Sequence, residues 1–310
     1  MKKLKLLAAA ASFAALTSAA MAGTIGFSSP NFDDNFQTVL RETAKSHAEK
    51  LGHSIQIEDA REDVGMQLSQ IQNFIASGVD AIILAPVSAA ATPQITKMAE
   101  AAGIPLIYVN RRPADLDKLG DKAAFVGSDE TWSGTLEAFE ICNQAAGTGK
   151  AVMLMGILSN EAAVTRSEDV REVLKLSMCK GIELIAEQEA KWQRTEANNV
   201  VANWLSSGKD FNIVFANNDE MALGALQALK AAGVNMDDVL VGGVDATADA
   251  LASMKAGELD VTVFQNANGQ ATGAVDAAIS AMEGNALPNW INIPFELVTP
   301  ANVDKYMGNN

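Results

Sequence analysis

Residues 24–52, TIGFSSPNFDDNFQTVLRETAKSHAEKLG, divide into an apolar run and an amphipathic one. The first six residues, TIGFSS, have the length and composition of a strand. In 34–51, Phe36, Val39, Leu40, Ala44, His47 and Leu51 recur at the i, i+3, i+4, i+8 spacing of one helix face, and Gly52 stands where such a helix closes. The same unit repeats outward along the chain. Strands are expected at 54–59 (SIQIED), 81–86 (AIILAP), 105–110 (PLIYVN), 123–128 (AAFVGS), 151–156 (AVMLMG), 182–187 (IELIAE), 213–217 (IVFAN), 239–245 (VLVGGVD) and 259–265 (LDVTVFQ), with helical lengths between them. Gly78, Gly103, Gly181, Gly208 and Gly233 read as further helix stops. Several strands are apolar on both faces, as parallel strands are when helices cover each side. The fold class is therefore α/β, doubly wound, with right-handed crossovers. Ten strands exceed one comfortable sheet. A helix pattern opens at Ser128-Asp129 and a second series of units begins at 151, so two similar Rossmann-like lobes are expected.

The chain has 310 residues, 48% hydrophobic and 20% charged, with 23 basic residues against 38 acidic ones. A net charge of −15 argues against a nucleic-acid partner, because duplex affinity is built from Lys and Arg on phosphates. Two histidines, His47 and His53, and two cysteines, Cys142 and Cys179, leave almost no material for a zinc cluster or a Ser-His-acid hydrolase. No G-x-G-x-x-G, P-loop or EF-hand-like acidic loop accompanies the strands, so no cofactor and no metal are expected. Lys2, Lys3 and Lys5, the apolar run LLAAAASFAAL (6–16) and Ala20-Met21-Ala22 have the form of a signal peptide cleaved after Ala22. The apolar run is too short for a bilayer span of about 20 residues. With no Cys after the cleavage site, a free periplasmic protein is the expectation.

In open α/β sheets ligands bind outside the carboxyl ends of the strands. Asp33, Asp34, Asn35 and Phe36 follow the first strand, and Asn110-Arg111-Arg112-Pro113 ends the run at 105–110. Arg166 follows 151–156, Trp192 follows 182–187, and Asn217-Asn218-Asp219, Asp245 and Gln265 end the last three. Carboxylates, amides and guanidinium forks bond paired hydroxyls, and aromatic faces cover C–H faces, which describes a polyol site. On this reading Asp34 and Asp245 balance Arg111 and Arg166, which suits a neutral ligand. Ordinary readings stand beside these: Phe36 and Trp192 as core aromatics, Arg166 as a solvated helix residue, Asn218 and Asp245 as turn or cap residues, Arg112 as a rim residue or a structural ion pair.

The stretch 24–52, together with FANNDEMALGAL (215–226), VGGVDAT (241–247) and Val261–Gln265, resembles the ribose-type periplasmic sugar-binding proteins that feed ABC importers, over essentially the whole mature chain. Asn110-Arg111-Arg112-Pro113 and MGILSNEAAVTRSEDV (155–170) look most like members that bind inositol and related cyclitols. The resemblance implies a type I periplasmic binding protein fold. It implies an amino-terminal lobe of 23–127 plus 266–292 and a carboxyl-terminal lobe of 128–265 plus 293–310, joined by three crossings near 127–129, 264–266 and 292–295. Asp34, Phe36, Asn110, Arg111, Arg166, Trp192, Asn218, Asp245 and Gln265 become ligand contacts. Partners would be a small neutral polyol, myo-inositol or a relative with a pentose or hexose as alternative, the importer's membrane subunits, and a chemoreceptor as a further candidate. The chain would act as a monomer. Two departures put ribose in doubt: Ala85 stands where ribose binders carry an amide residue, and Gln37 where they carry a second Phe.

A sugar-responsive transcription regulator would need a helix-turn-helix and a basic face. An enzyme would need a poised acid/base pair, for which Asp34 and Asp245 are candidates by residue type alone. The reading is a non-enzymatic solute receptor closing about a hinge. Cys142 and Cys179 fall near the ends of helices expected at 129–146 and 162–180. A disulfide is favoured slightly over free buried thiols.

Overall fold

The computed structural model describes residues 22–309, so the leader read at 1–22 lies outside the described residues apart from Ala22. The first series runs β1 (Thr24–Ser29), α1 (Asn35–Lys50), β2 (Ser54–Asp59), α2 (Val64–Ser77), β3 (Ala81–Leu84), α3 (Thr92–Ala102), β4 (Leu106–Val109) and β5 (Ala123–Gly127). The second runs α4 (Ser133–Gln144), β6 (Thr148–Met155), α5 (Glu161–Leu174), β7 (Gly181–Glu189), α6 (Arg194–Ser206), β8 (Ile213–Ala216), α7 (Asp219–Ala231), β9 (Leu240–Val241), α8 (Ala248–Lys255) and β10 (Thr262–Phe264). It is followed by α9 (Ala267–Met282), β11 (Trp290–Asn292) and β12 (Glu296–Val298).

Three strands, β1, β3 and β4, show why the doubly wound reading holds. From Ile25 and Ala81 onward every residue of β1 and β3 is buried, as is all of β4, so both faces need cover. One six-stranded parallel sheet results, in the order β11-β5-β4-β3-β1-β2. Helices α1 and α9 pack Leu40, Ala44, Ala271 and Val275 against Ile25, Phe27 and Ile83 on one face, and Ile71, Phe74 and Ile95 of α2 and α3 close the other against Ile82 and Leu84. A four-stranded parallel sheet, β7-β6-β8-β9, is covered likewise by α4 and α5 on one side and α6 and α7 on the other. The protein is thus an α/β molecule of two lobes. After β5 the chain passes to the second sheet; after β10 it returns, α9 packing on β3, β4 and β5. After β11, which pairs with β5, it passes over again and β12 pairs antiparallel with β10.

Several expectations are corrected. Gly181 does not stop a helix. α5 ends at Leu174, a 3-10 turn covers Ser177–Cys179, and Gly181 opens β7. The helix expected at 129–146 is a 3-10 turn, Glu130–Trp132, leading into α4. The strand expected at 239–245 shrinks to two residues. A Cβ at Gly242 would strike Glu137 and Ile141, and one at Gly243 would strike Asp219, so helices crowd the ladder there. Beyond it only the single bridges Gly242 to Val261 and Asp245 to Phe264 continue the pairing. β11 and β12 went unread because three-residue strands carry no period.

Cys142 and Cys179 are joined in a disulfide with a Cα–Cα distance of 5.3 Å, tying the end of α4 to the 3-10 turn before β7. His47 bonds Asp276 across the α1–α9 contact, and His53 Nδ1 accepts from the Gly23 amide; neither reaches the cleft.

Candidate ligand-binding site

All nine residues that the resemblance marks as ligand contacts line one cavity between the two sheets. Eight of them lie at or just beyond the ends of elements, and Arg166 lies in the second turn of α5. Asp34 caps α1, its Oδ1 accepting from the Gln37 amide at 2.9 Å, so Phe36 falls on the first turn facing the cavity. Asn110 and Arg111 follow β4, Asn218 caps α7 by accepting from Met221 N at 3.0 Å, and Gln265 follows β10. Asp245 is no cap: Thr247 caps α8, and the Asp245 amide donates to Val263 O at 2.8 Å. Three of the nine have left-handed backbones, Asn110 at φ 64°, Trp192 at φ 66° and Asp245 at φ 126°. Such conformations cost about 1–3 kcal/mol each in non-glycine residues and persist where the surrounding structure imposes them. Here they turn side chains from strand ends into the cleft. The Trp192 indole lies against Gly156, where any Cβ would collide with it.

The two guanidinium groups have partners that sequence reading missed. Arg111 donates through Nη2 to Glu62 Oε1 at 3.0 Å and through Nη1 to Glu62 Oε2 at 3.2 Å, with Pro86 O as a third acceptor at 3.2 Å. Arg166 donates through Nε to Glu130 Oε2 at 2.8 Å and through Nη2 to Glu130 Oε1 at 3.1 Å. Its Nη1 reaches Asn217 O at 2.6 Å and lies 3.8 Å from Asp245 Oδ1, and its guanidinium carbon sits 5.6 Å from the Trp192 ring centroid. Arg166 is therefore a buried member of the site and not a solvated helix residue. The expected one-to-one balance of Asp34 and Asp245 against Arg111 and Arg166 does not hold, because Glu62 and Glu130 already answer the cations. Four carboxyl groups surround two guanidiniums. Burial pushes the Asp34 carboxyl up, and it pushes Asp245 well above the ordinary carboxylate range despite Arg166 beside it.

Gln37, Glu130, Asn160 and Ala162 also line the cavity. Glu130 had no signal of its own, since an acid in a first helical turn reads as a dipole partner. Asn160 reads as the cap it is, accepting from Ala162 N at 3.1 Å. Ala85 is fully buried and offers only its carbonyl, which accepts from Gln67 Nε2 at 3.1 Å. Arg112 does not line the cavity; its guanidinium lies 6.0 Å over the Trp290 ring. Two buried polar atoms of the lining have no partner: Gln37 Oε1, an acceptor, and Trp192 Nε1, a donor.

The model for the periplasmic binding protein domain matches residues 25–286. The chain belongs to that family. This binding protein is 55% identical over 296 residues to a candidate rhizopine-binding protein of Rhizobium meliloti, covering 95% of its own chain and 96% of the relative. It is 31% identical to the ribose import binding protein of Salmonella typhimurium, over 96% and 98% of the two chains. A solute-binding protein of an ABC transporter from Bacillus halodurans, solved with bound myo-inositol, superposes with a TM-score of 0.88 at 39% identity, covering 95% of this chain and 100% of the other. The Salmonella and Bacillus relatives are binding proteins of import systems and not enzymes, and this chain is likewise a periplasmic sugar-binding protein and not an enzyme.

Proposed function

We propose that the protein captures a cyclitol, myo-inositol or a close relative, in the cavity and delivers it to an ABC importer. The observation that carries this is the pair of partnerless groups of opposite sense, Gln37 Oε1 and Trp192 Nε1, among amides and carboxyls from both lobes. A hydroxyl both donates and accepts, so a ring bearing several can answer both. The inositol-bound structure and the rhizopine relative support a cyclitol over an open-chain polyol. Asp34, Phe36, Asn110 and Arg111 would contact the ligand from one side, and Arg166, Trp192, Asn218, Asp245 and Gln265 from the other.

Closure follows from that division. We take the lobes as 23–127 plus 266–292 and 128–265 plus 293–310, hinged near 127–129, 264–266 and 292–295. A ligand satisfies both sets only when the cleft is shut, so it binds the closed state more tightly. Asn35 Nδ2 donates to Glu220 Oε1 at 2.7 Å across the cleft mouth, and Arg194 grips the same carboxylate, so closure also gains a protein–protein bond. The protein acts as a monomer. Calorimetry with inositols, pentoses and hexoses is the test: saturable heat with an inositol supports the reading, and heat with an aldose alone overturns the cyclitol. Scattering should show a smaller radius of gyration with ligand, and an unchanged profile would refute hinge closure.

The excess of carboxyl groups favours a second reading, a cyclitol carrying an ammonium group. Pairing each neutral inositol with its amino analogue separates the two.

A further inference from the structure

Three helices, α1, α5 and α7, begin at the cavity on a capping side chain whose oxygen is already committed. Asp34 Oδ1 accepts from Gln37 N, Asn218 Oδ1 from Met221 N and Asn160 Oδ1 from Ala162 N, at 2.9, 3.0 and 3.1 Å. A backbone N–H can only donate. At both asparagines the oxygen is therefore the end that faces the helix, and the NH₂ is the end that faces away. The cap fixes the sense of each carboxamide, because turning it over would set N–H against N–H. Asn218 spends one N–H on Trp192 O at 3.4 Å. Asn160 spends none: its Nδ2 bonds to nothing among the described residues, although the residue lines the cavity and is only 4% exposed. Ala162, beside it on the lining, carries only a methyl group. The donors of Asn160 are thus left for whatever fills the cavity.

We propose that Asn160 is a specificity-determining residue, presenting N–H donors to one ring position of the ligand and so requiring a lone pair there. A hydroxyl supplies one. An ammonium group has donors only and is excluded from that position. The proposal rests on the cavity being a polyol site, and it adds a contact that the resemblance did not mark. It also constrains the aminated ligand of the second reading, whose nitrogen must point away from Asn160.

The test is calorimetry with inositols in which one hydroxyl at a time is removed or replaced by an amino group, on the wild type, Asn160→Ser and Asn160→Asp. Both replacements keep an oxygen that caps α5, and urea unfolding checks that the fold is retained. In the wild type, removing the hydroxyl that faces Asn160 should weaken binding about threefold or more. In Asn160→Ser that one penalty should vanish, while the penalties at the other ring positions keep their wild-type size. The amino analogue at the same position should bind the wild type at least tenfold more weakly than the parent inositol. Asn160→Asp, which exchanges the donor for an acceptor of the same shape, should close that gap, and it carries the test should Asn160→Ser fold poorly. A merely structural role for Asn160 would weaken every ligand by one factor and leave all the ratios unchanged. The proposal is overturned by that result, or if the wild type accepts an amino group at the position that Asn160→Ser identifies as well as it accepts the hydroxyl. A wild-type protein that binds no inositol refutes the cyclitol reading instead, and the deoxy series of whichever aldose binds then decides the role of Asn160.

Discussion

The buried polar groups around the six-stranded sheet are mostly neutral: Gln67 and Gln70 bonded to Ser28 and to nearby carbonyls, and the amides of Gln37, Asn110 and Gln270, with the Arg111 guanidinium, 6% exposed, among them. Around the four-stranded sheet neutral groups such as Asn217, Asn218 and Thr262 are joined by five ionisable ones: Glu130, Glu137, Arg166, Asp219 and Asp245. The two arginines make the difference concrete. Arg111 holds a Glu62 that is 23% exposed, whereas Arg166 and Glu130 are each 4% exposed. Neutral amides hold geometry at little electrostatic risk. A buried charge pair holds it at the risk that losing either member strands the other. The carboxyl-terminal half of the site should accordingly be the more fragile under mutation and pH.

The largest effect is expected from Glu130→Ala, which leaves the Arg166 guanidinium buried beside Asp245 alone; a loss of about 3–5 kcal/mol should appear in urea unfolding. Next comes pH. Burial pushes Glu137 up to about 8, with one oxygen accepting from Ala216 N and the other unpartnered. The folded state then holds a proton that the unfolded chain releases above about 4.5, so this stability is complete below that value and lost as pH rises through about 8. Glu137→Gln should flatten the decline measured between pH 5 and 9, and an unchanged slope would place its origin elsewhere. Cys142→Ser should cost about 2–4 kcal/mol by opening a loop between residues 37 apart in sequence. The loss should match that caused by a reductant on the parent protein. Arg166→Ala and Asp245→Ala should each weaken ligand at least tenfold by calorimetry, the ~1.5–3 kcal/mol of a charge-assisted bond. The smallest change belongs to Glu62→Ala, within about 1 kcal/mol of stability because solvent reaches that carboxylate. Equal costs for Glu62→Ala and Glu130→Ala would erase the contrast between the two halves.

Much of the site was legible because in a parallel sheet one local fact, where a strand ends, sets which edge a residue occupies. Asp34, Asn110 and Asn218 sit one residue past a strand or at the start of a helix, and the apolar runs before them are unambiguous. Arg166 was harder to read, because nothing in EAAVTRSEDV says which face of α5 meets the cleft. Gln37 stands out in the sequence only as a departure from a resembled pattern, and its bonding partner Asn110 lies 73 positions away.

By itself the sequence determined the alternation of strands and helices, the two-lobed α/β class and the edge on which polar side chains gather, since these follow from periods of two to four residues and from helix stops. Tertiary structure alone decided who answers whom. Glu62 and Glu130 lie 49 and 36 residues from their arginines. Left-handed backbones at Trp192 and Asp245 exist because packing overrides local preference, and β10 pairs with β12 rather than extending the second sheet. Each of these depends on distances between elements that no local pattern encodes. The pairing of the arginines is such a quantity, which is why counting residues at the strand ends set them against Asp34 and Asp245 while the folded chain sets them against Glu62 and Glu130.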